Sequence, residues 1–377
     1  MSPGVPIVLV AISPEHADKL HEDLLALSDF QTRCYPQREA LPYEDEDPHI
    51  EISAQRVDAL AALLANRCRV LVTTARALIE RSPIPVHSGE SISLDLSIGD
   101  TAPLEDLADR LERMGFVRTH SVREVGDFTV RGGLVDAFPF GHPAPLRIEL
   151  WGDEIVSLRR FDALTQRSTE TCDNAEILPI DLMAGEDKGI TERLSLVELL
   201  PSNAIMVHLE PKSGIKARSR LWNEIREARK RANDRGVTTD ALVVPPSDAE
   251  LRLNQLRRIE FITDDVENMP GALQLPIEPP PKIDRDMKLL IAQTSKTYEE
   301  GGRTLILCDN EGQIERLEEI MVERAGLDMP QHVTLAIGSL SGGFRVGPPS
   351  NLTVLTDHEV FRRAYRRHRV RFKGAAT

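Results

Sequence analysis

Arg-Glu-Val-Gly-Asp-Phe-Thr-Val-Arg-Gly-Gly-Leu-Val-Asp-Ala-Phe-Pro at residues 123–139, followed by Leu-Arg-Ile-Glu-Leu-Trp-Gly-Asp-Glu-Ile at residues 146–155, decides the fold of the centre of the chain. Both stretches alternate apolar with polar residues, and Gly-rich turns separate the alternating runs, which is typical of antiparallel strands. The Gly152-Asp153 pair between two runs indicates a two-residue hairpin. The sequence therefore predicts a small antiparallel meander that begins at about residue 121.

Strand phase predicts what each face of this meander carries, because side chains alternate between the two faces of a strand. One face is apolar and includes Phe128, Val130, Leu146, Ile148 and Leu150. The other face is polar and includes Arg131, Arg147, Glu149 and Trp151. Arg and Trp are enriched where proteins bind one another, so this polar face is a candidate docking surface. The alternative is that Trp151 covers the hairpin edge and that the arginines are ordinary surface charges.

The sequence before the meander predicts an α/β segment. Residues 6–11 and 69–74 are short β-branched runs, typical of parallel strands that are covered on both faces. Between them lies a predicted helix behind Ser53, whose apolar face consists of Val57, Leu60, Leu63 and Leu64.

The α/β pattern resumes after residue 178. A strand is expected at Ile205 to Leu209, and a long charged helix is expected to have one apolar face, formed by Leu221, Ile225, Ala228 and Ala232. Pro276, Pro279, Pro280 and Pro281 predict a stiff spacer, because proline fixes φ and lacks an amide donor.

A last α/β unit follows the spacer. Its expected strands are Arg303 to Cys308, Val333 to Ile337 and Leu352 to Leu355. Asp309 is the expected cap of a helix whose apolar face is formed by Ile314, Leu317, Ile320 and Met321. The predicted boundaries are 1–92 and 179–275 for a split α/β domain, 93–178 for the β-rich insert, 276–284 for the linker, 285–361 for the small α/β domain and 362–377 for an Arg-rich tail.

Composition restricts the classes of function. The chain has 377 residues, a net charge of -14 and no apolar run near the roughly 20 residues of a membrane helix, so a cytoplasmic protein without membrane contact is expected. Four cysteines without a CxxC spacing indicate reduced thiols rather than a zinc site. The acidic balance restricts any DNA contact to a local basic cluster.

One such cluster lies in the tail. Its basic residues are Arg362, Arg363, Arg366, Arg367, Arg369, Arg371 and Lys373. They could contact phosphates or an acidic protein surface, although the pattern favours a solvated linker helix, because charge runs are usually solvated.

No motif in the sequence indicates catalysis. A P-loop needs a Gly-Lys pair, and the chain contains none. The acidic run at residues 44–47 lies between Ala-Leu-Pro-Tyr and Pro48, which favours a loop over a magnesium site. Residues 338–343, Gly-Ser-Leu-Ser-Gly-Gly, are expected to form a turn rather than a phosphate cradle, and the ten histidines show no metal-ligand spacing.

The meander sequence, together with Arg-Arg-Phe-Asp-Ala-Leu-Thr-Gln-Arg-Ser at residues 159–168, closely resembles the UvrA-binding domain that UvrB shares with transcription-repair coupling factors. Leu41-Pro-Tyr, Pro48-His and Ile52-Ser-Ala-Gln-Arg56 resemble the coupling factors rather than UvrB. Val354-Leu355-Thr-Asp-His-Glu-Val-Phe361 and the Arg-rich tail resemble the segment that precedes the polymerase-interacting domain of that family. The resemblance extends over nearly the whole chain.

This resemblance implies a degenerate P-loop-like α/β domain interrupted by the β-rich insert, a fold without ATP hydrolysis. It implies UvrA as partner, with Arg131, Arg147 and Trp151 at the positions that contact it; an aromatic of another type is common at the third position. ATP, magnesium, RNA polymerase and DNA would belong to polymerase-binding and translocase domains that are expected beyond this chain. The alternatives are a stand-alone nucleotide-binding α/β hydrolase and a DNA-binding accessory protein of repair.

Overall fold

The computed structural model describes residues 5–41, 49–84, 93–180, 192–232, 238–263, 271–325 and 332–362. The chain divides into two compact units. Of the described residues, the first contains Gln31–Ile262 and those up to Ala17, and the second contains Asp18–Phe30 and those from Thr263 to Arg362. The fold class is α/β, as the sequence predicts. Among the described helices, none is both long and apolar enough to cross a membrane.

The first segment supplies the core of a parallel sheet. Its elements are β1 (Ile7–Ala11), α1 (Pro14–Leu27), β2 (Thr32–Tyr35), α2 (Ile50–Leu64), β3 (Val70–Thr74) and β4 (Arg81–Ile84). β3 pairs in parallel with both β1 and β2, which confirms the predicted parallel sheet. Helix α2 begins at Ile50, before Ser53, and its N-cap residue His49 makes no side-chain cap. Leu64 ends the helix and is 46% exposed, so it does not share the buried face predicted for it.

The inserted β-rich domain follows. Its elements are β5 (Leu94–Ser97), α3 (Leu104–Arg113), β6 (Val117–Arg118), β7 (Asp127–Arg131), β8 (Leu134–Ala137), β9 (Leu146–Trp151), β10 (Glu154–Phe161), β11 (Ser168–Cys172) and β12 (Asn174–Ile177). Strands β7 to β11 pair antiparallel in chain order, which confirms the meander. Trp151 pairs with Glu154 across the predicted hairpin. The apolar face carries Phe128, Ile148 and Leu150 and packs in one cluster with residues of α3, a helix that the sequence analysis does not predict.

The chain then returns to the parallel sheet. The elements here are β13 (Glu192–Ser195), α4 (Leu196–Leu199), β14 (Ile205–Leu209), α5 (Pro211–Ala232), α6 (Thr239–Leu242), α7 (Pro246–Asn254) and β15 (Arg257–Phe261). β14 lies between β1 and β15, so the order within this sheet is β15-β14-β1-β3-β2. The predicted face of α5 is buried at Leu221, Ile225 and Ala228, whereas the side chain of Ala232 lies outside the described residues.

The second unit has its own sheet and core. Its further elements are β16 (Ile277–Glu278), α8 (Met287–Glu299), β17 (Arg303–Cys308), α9 (Glu311–Ala325), β18 (Val333–Ile337), β19 (Phe344–Val346), β20 (Leu352–Thr356) and α10 (Asp357–Phe361). The strand order is β16-β19-β20-β17-β18, and the predicted strands at β17, β18 and β20 are parallel neighbours.

Two predictions for this second unit were wrong. The proline-rich segment 276–284 is not a spacer, because β16 pairs antiparallel with β19 and Ile283 lies in the core. The helix after β17 is capped by Asn310 rather than Asp309, because the side chain of Asn310 accepts a hydrogen bond from the amide of Gln313 at 3.1 Å. Asp309 is one residue too early to reach that amide from the capping position.

Candidate docking surface on the inserted domain

The sheet face of β7–β10 that points away from the apolar core is polar, as strand phase predicts. Register places Thr129 beside Asp136, Asp136 beside Arg147 and Arg147 beside Arg159. We call this surface the polar face; its members are Thr129, Arg131, Leu134, Asp136, Arg147, Glu149, Trp151, Glu154, Ser157 and Arg159. Asp136 and Arg147 are cross-strand neighbours of opposite charge, and such a pair stabilises a sheet through direct side-chain contact.

Asp136 is the centre of the polar face. Its carboxylate is 2% exposed and accepts two hydrogen bonds from Arg147, one from Nε at 2.7 Å and one from the terminal nitrogen at 2.9 Å. Arg131 donates a third hydrogen bond to the same carboxylate at 3.2 Å. A two-pronged pairing of guanidinium with carboxylate fixes the orientation of both groups. Asp136 therefore holds both arginines that the sequence analysis singles out.

Arg147 is held from a second side as well. Its guanidinium lies over the ring of Phe161, 4.6 Å from the ring centroid, and Phe161 itself is fully buried. The hydrogen bonds to Asp136 raise the pKa of Arg147 above its ordinary value, so the side chain is charged at any physiological pH. With 17% of its side chain exposed, Arg147 presents only its outer edge to solvent.

Arg131 and Trp151 lie at one end of the polar face, where two tight turns meet. The turn after Arg131 contains Gly132, with φ of 59°, and Gly133, whose hypothetical Cβ would lie 2.7 Å from the backbone oxygen of Leu150. Glycine at these positions lets the turn approach β9. Half of the Arg131 side chain is exposed.

Trp151 is 82% exposed, so it covers little of the hairpin, contrary to the simpler alternative raised by the sequence. A large aromatic ring in water is a cost that burial against a partner removes. The surface as a whole offers an exposed ring, a half-exposed cation and a fixed second cation, an arrangement suited to binding rather than to catalysis.

Asp136, which organises Arg131 and Arg147, is a residue of this face that was not predicted from the sequence. A signal was present in Leu134-Val-Asp-Ala137, where a carboxylate stands within an otherwise apolar strand. A buried carboxylate requires a partner of opposite charge, so this pattern predicts a neighbouring arginine. Whether Arg131, Arg147 and Trp151 contact a partner protein stays a prediction.

The carboxyl edge of the parallel sheet, where doubly wound folds bind nucleotides, is occupied by the chain's own side chains. Arg56 donates hydrogen bonds to Glu80 at 2.7 Å, to the hydroxyl of Tyr35 at 2.6 Å and to the backbone oxygen of Pro36 at 2.7 Å. Thr74, at the end of β3, donates to the amide oxygen of Gln37. These contacts form a buried polar network at the ends of β2 and β3.

The remaining predicted positions are the loop at 338–343, residues 44–47 and the basic residues of the tail. Amides of the loop at 338–343 are bound to carboxylates of the chain, since Ser341 donates to Asp23 and Gly343 donates to Glu359. Residues 44–47 and the basic residues from Arg363 to Lys373 lie outside the described residues. Arg362 is described, and its side chain lies 3.8 Å from the carboxylate of Asp284.

Among the described residues, one group has the spacing needed to hold a cation. It consists of Asp309, Asp357 and His358 at the ends of β17 and β20. Nε2 of His358 lies 3.4 Å from Asp309 and 3.7 Å from Asp357, so the three side chains already contact one another within the chain. This group belongs to the second unit and is not part of the polar face.

Comparison with known proteins shows similarity for the inserted domain and for about half of the chain. Residues 94–182 match the UvrB interaction domain. A transcription-repair-coupling factor from Haemophilus influenzae is 32% identical over 183 residues, which is 48% of this chain and 16% of that relative. The corresponding protein of Myxococcus xanthus is 33% identical over 182 residues, 46% of this chain and 15% of the relative. The matched region is thus about a sixth of the length of these relatives.

Proposed function

Since the chain is a relative of the transcription-repair coupling factors and carries a UvrB interaction domain, we propose that it recruits UvrA in transcription-coupled nucleotide excision repair. The polar face is the proposed contact. The observation that carries the proposal is Trp151, an 82% exposed tryptophan on the paired strand β9, at the same end of the sheet as the half-exposed Arg131 of β7. Rigid presentation of an anchor residue lowers the entropy lost on binding.

Each residue has a proposed role in that contact. Trp151 fills an apolar pocket of UvrA. Arg131 directs its exposed nitrogens to a carboxylate of UvrA, and the outer edge of Arg147 adds a second donor. Because Asp136 and Phe161 already fix Arg147, this residue contributes little new ordering cost when the complex forms.

The test is the affinity of the chain for purified UvrA, measured by calorimetry or biolayer interferometry. Replacing Arg131, Arg147 and Trp151 by alanine together is expected to weaken binding at least 100-fold, because hot-spot residues carry most of the binding energy. Arg131→Ala with Trp151→Ala, which leaves the buried Asp136 paired with Arg147, separates loss of contact from loss of folding. Unchanged affinity in the triple variant contradicts the proposal.

A matched control exists at the other end of the same sheet. Two exposed arginines and one exposed leucine lie there, in the turns opposite to the Trp151 end: Arg123, Arg167 and Leu164. Replacing these three by alanine removes the same kinds of side chain and is expected to leave UvrA affinity unchanged. An equal loss in both variants would indicate a nonspecific effect of charge and contradict the proposed location.

The wider activities of the family are proposals for the protein to which this sequence belongs. They include ATP-driven translocation on DNA and contact with stalled RNA polymerase, in the cytoplasm. The polar face contributes the docking step to that proposal. The chain spans only 15 to 16% of the first relatives it matches, so these activities are expected of other parts of those proteins.

Nucleotide hydrolysis is the competing function, and the filled carboxyl edge of the parallel sheet disfavours it. A phosphate bound there would have to displace the network of Arg56, Glu80 and Tyr35. We expect no shift in melting temperature when ATP and magnesium are added to the purified chain. A clear nucleotide-dependent shift would favour the hydrolase instead.

A further inference from the structure

Helix α5 carries a stripe of cations on its solvent face. We call it the basic stripe. Its positions are alternately four and three residues apart, a spacing that keeps side chains on one line of a helix. Its members are Lys212, Lys216, Ser219, Asn223, Arg226 and Lys230. Four of the six are cations, and the other two are small hydrogen-bonding side chains. At 1.5 Å per residue the stripe is about 27 Å long.

The opposite face of α5 fixes the direction of this stripe. Leu221, Ile225 and Ala228 are buried in the core of the first unit, and Arg218 on the same side is 2% exposed and paired with Glu250. The positions of the basic stripe lie about half a turn away from these residues at 100° per residue. Packing of one face therefore holds the stripe toward solvent.

The acids of α5 lie beside the stripe rather than in it. Glu224 binds Arg220, which is outside the stripe, at 2.7 Å. Glu227 binds Lys230 at 2.8 Å. Among the described residues, no carboxylate pairs with Lys212, Lys216 or Arg226. The stripe thus keeps most of its positive charge, on a chain whose net charge is -14.

The composition of the stripe favours one class of partner. Contacts between proteins need apolar and aromatic area at their centre. The six positions of the stripe contain none, and beside the stripe Ile215 is a single half-exposed apolar side chain. Lysine, arginine, serine and asparagine are the side chains that contact phosphate oxygens of nucleic acids. A straight, rigid line of about 27 Å matches about eight base pairs of duplex at 3.4 Å per pair.

We propose that the basic stripe binds the phosphate backbone of double-stranded DNA. This site lies on the parallel-sheet domain and is independent of the polar face and of the Arg-rich tail. Binding is sequence-independent, because the stripe carries point charges and short donors for phosphate rather than a set of groups that reads base edges.

The test is fluorescence anisotropy of a labelled 30-base-pair duplex, titrated with the full chain at several salt concentrations. The test variant replaces Lys212, Lys216, Arg226 and Lys230 by glutamine, a change that keeps helix propensity on an exposed face. Each lost phosphate contact lowers the slope of log affinity against log salt by about 0.9. The variant is therefore expected to show a slope smaller by about 3 to 4, and affinity at least 100-fold weaker at low salt.

A matched control removes three lysines and one arginine from exposed positions of the second unit: Lys282, Lys288, Lys296 and Arg316. This control keeps the same net charge as the test variant and retains the same tail, so it is expected to bind DNA like the parent chain. Circular dichroism melting checks that both variants fold.

Three outcomes would overturn the proposal. The stripe variant binding DNA with unchanged affinity and slope is the first. The second is an equal loss in the stripe variant and the control, which would indicate net charge alone. In the third, the parent chain binds polyglutamate but not the duplex, and the stripe variant loses the binding to polyglutamate. That result would identify an acidic polypeptide as the partner instead.

Discussion

Two arginine–carboxylate pairs in the first unit use the same chemistry in different surroundings. Arg56 pairs with Glu80 and lies over the ring of Tyr35 at 4.1 Å. Arg147 pairs with Asp136 and lies over the ring of Phe161 at 4.6 Å. The Arg56 side chain is 5% exposed, whereas Arg147 is 17% exposed and shares Asp136 with Arg131, whose side chain is half exposed.

The difference shows what each pair can do. A sealed pair can only contribute to the folded state, because no partner reaches it without unfolding. A pair at an open face can orient side chains for an incoming protein. The parallel-sheet domain thus uses the motif to close the edge where related folds bind nucleotides, and the inserted domain uses it to present a surface.

The strongest test of this contrast is Arg56→Ala. Removing Arg56 leaves Glu80 buried, with Arg76 at 3.1 Å as its other cation. We expect a loss of about 3–5 kcal/mol in the free energy of unfolding, the range for breaking a buried ion pair. Urea unfolding measures this loss. UvrA affinity of the folded fraction is expected to stay unchanged; a small stability loss would mean that the edge is not sealed.

Lowering the pH tests the stability of the parallel-sheet domain through the side chain of His208. Burial, and after it the charge of Arg218, lowers the pKa of His208 on β14 to about 4. Between pH 6.5 and pH 4 the unfolded chain takes up a proton that the folded chain does not, so stability is complete above pH 6.5 and falls as the pH is lowered. The loss approaches about 3 kcal/mol at pH 4.

The measurement is urea unfolding at pH 7.5, 6, 5 and 4.5 for the parent chain and for His208→Gln. Carboxylates contribute to both proteins, so the contribution of His208 is the difference between the two pH profiles. His120→Gln, at an exposed position, serves as the control and is expected to follow the parent. Identical profiles for all three proteins would show that His208 titrates normally.

Breaking the Asp136–Arg147 pair is expected to reduce stability less than breaking the Arg56–Glu80 pair, and to weaken UvrA binding clearly. Asp136→Ala leaves Arg147 without its carboxylate and is expected to cost about 2 kcal/mol of stability. Because Arg131 and Arg147 lose their shared anchor, UvrA affinity is expected to fall roughly tenfold, which corresponds to about 1.4 kcal/mol.

Asp136→Asn separates the two roles of this carboxylate, since it keeps an acceptor and removes the charge. It is expected to recover part of the affinity. Asp173→Ala, at an exposed position of the same domain, is the matched control. An Asp136→Ala protein that is destabilised but binds UvrA at full strength would reduce Asp136 to a purely structural role.

Much of the fold followed from local pattern. β-branched runs gave β1, β3 and β14, and strict alternation gave β7, β9 and β10. The errors arose where a tertiary contact outweighs a local preference. Prolines 276–281 suggested a spacer, yet the two residues between Pro276 and Pro279 pair at a sheet edge, the position where neighbouring prolines are tolerated.

For the candidate site, the sequence predicts which residues share a face of the sheet but not how their side chains bind one another. Alternation placed Arg147 and Trp151 on one face without any structure. The role of Asp136 depends on the register between β8 and β9, and register follows from turn geometry and packing that a single sequence does not display. The exposure of Trp151 likewise depends on what the surrounding elements leave uncovered.

The most direct test of the docking claim compares two exposed apolar residues of the inserted domain. Trp151 is 82% exposed at one end of the sheet, and Leu164 is 90% exposed at the other. Neither Trp151→Ala nor Leu164→Ala should change the melting temperature. The account predicts that Trp151→Ala weakens UvrA binding at least 30-fold, about 2 kcal/mol, while Leu164→Ala binds like the parent. Equal affinity of both variants would contradict it.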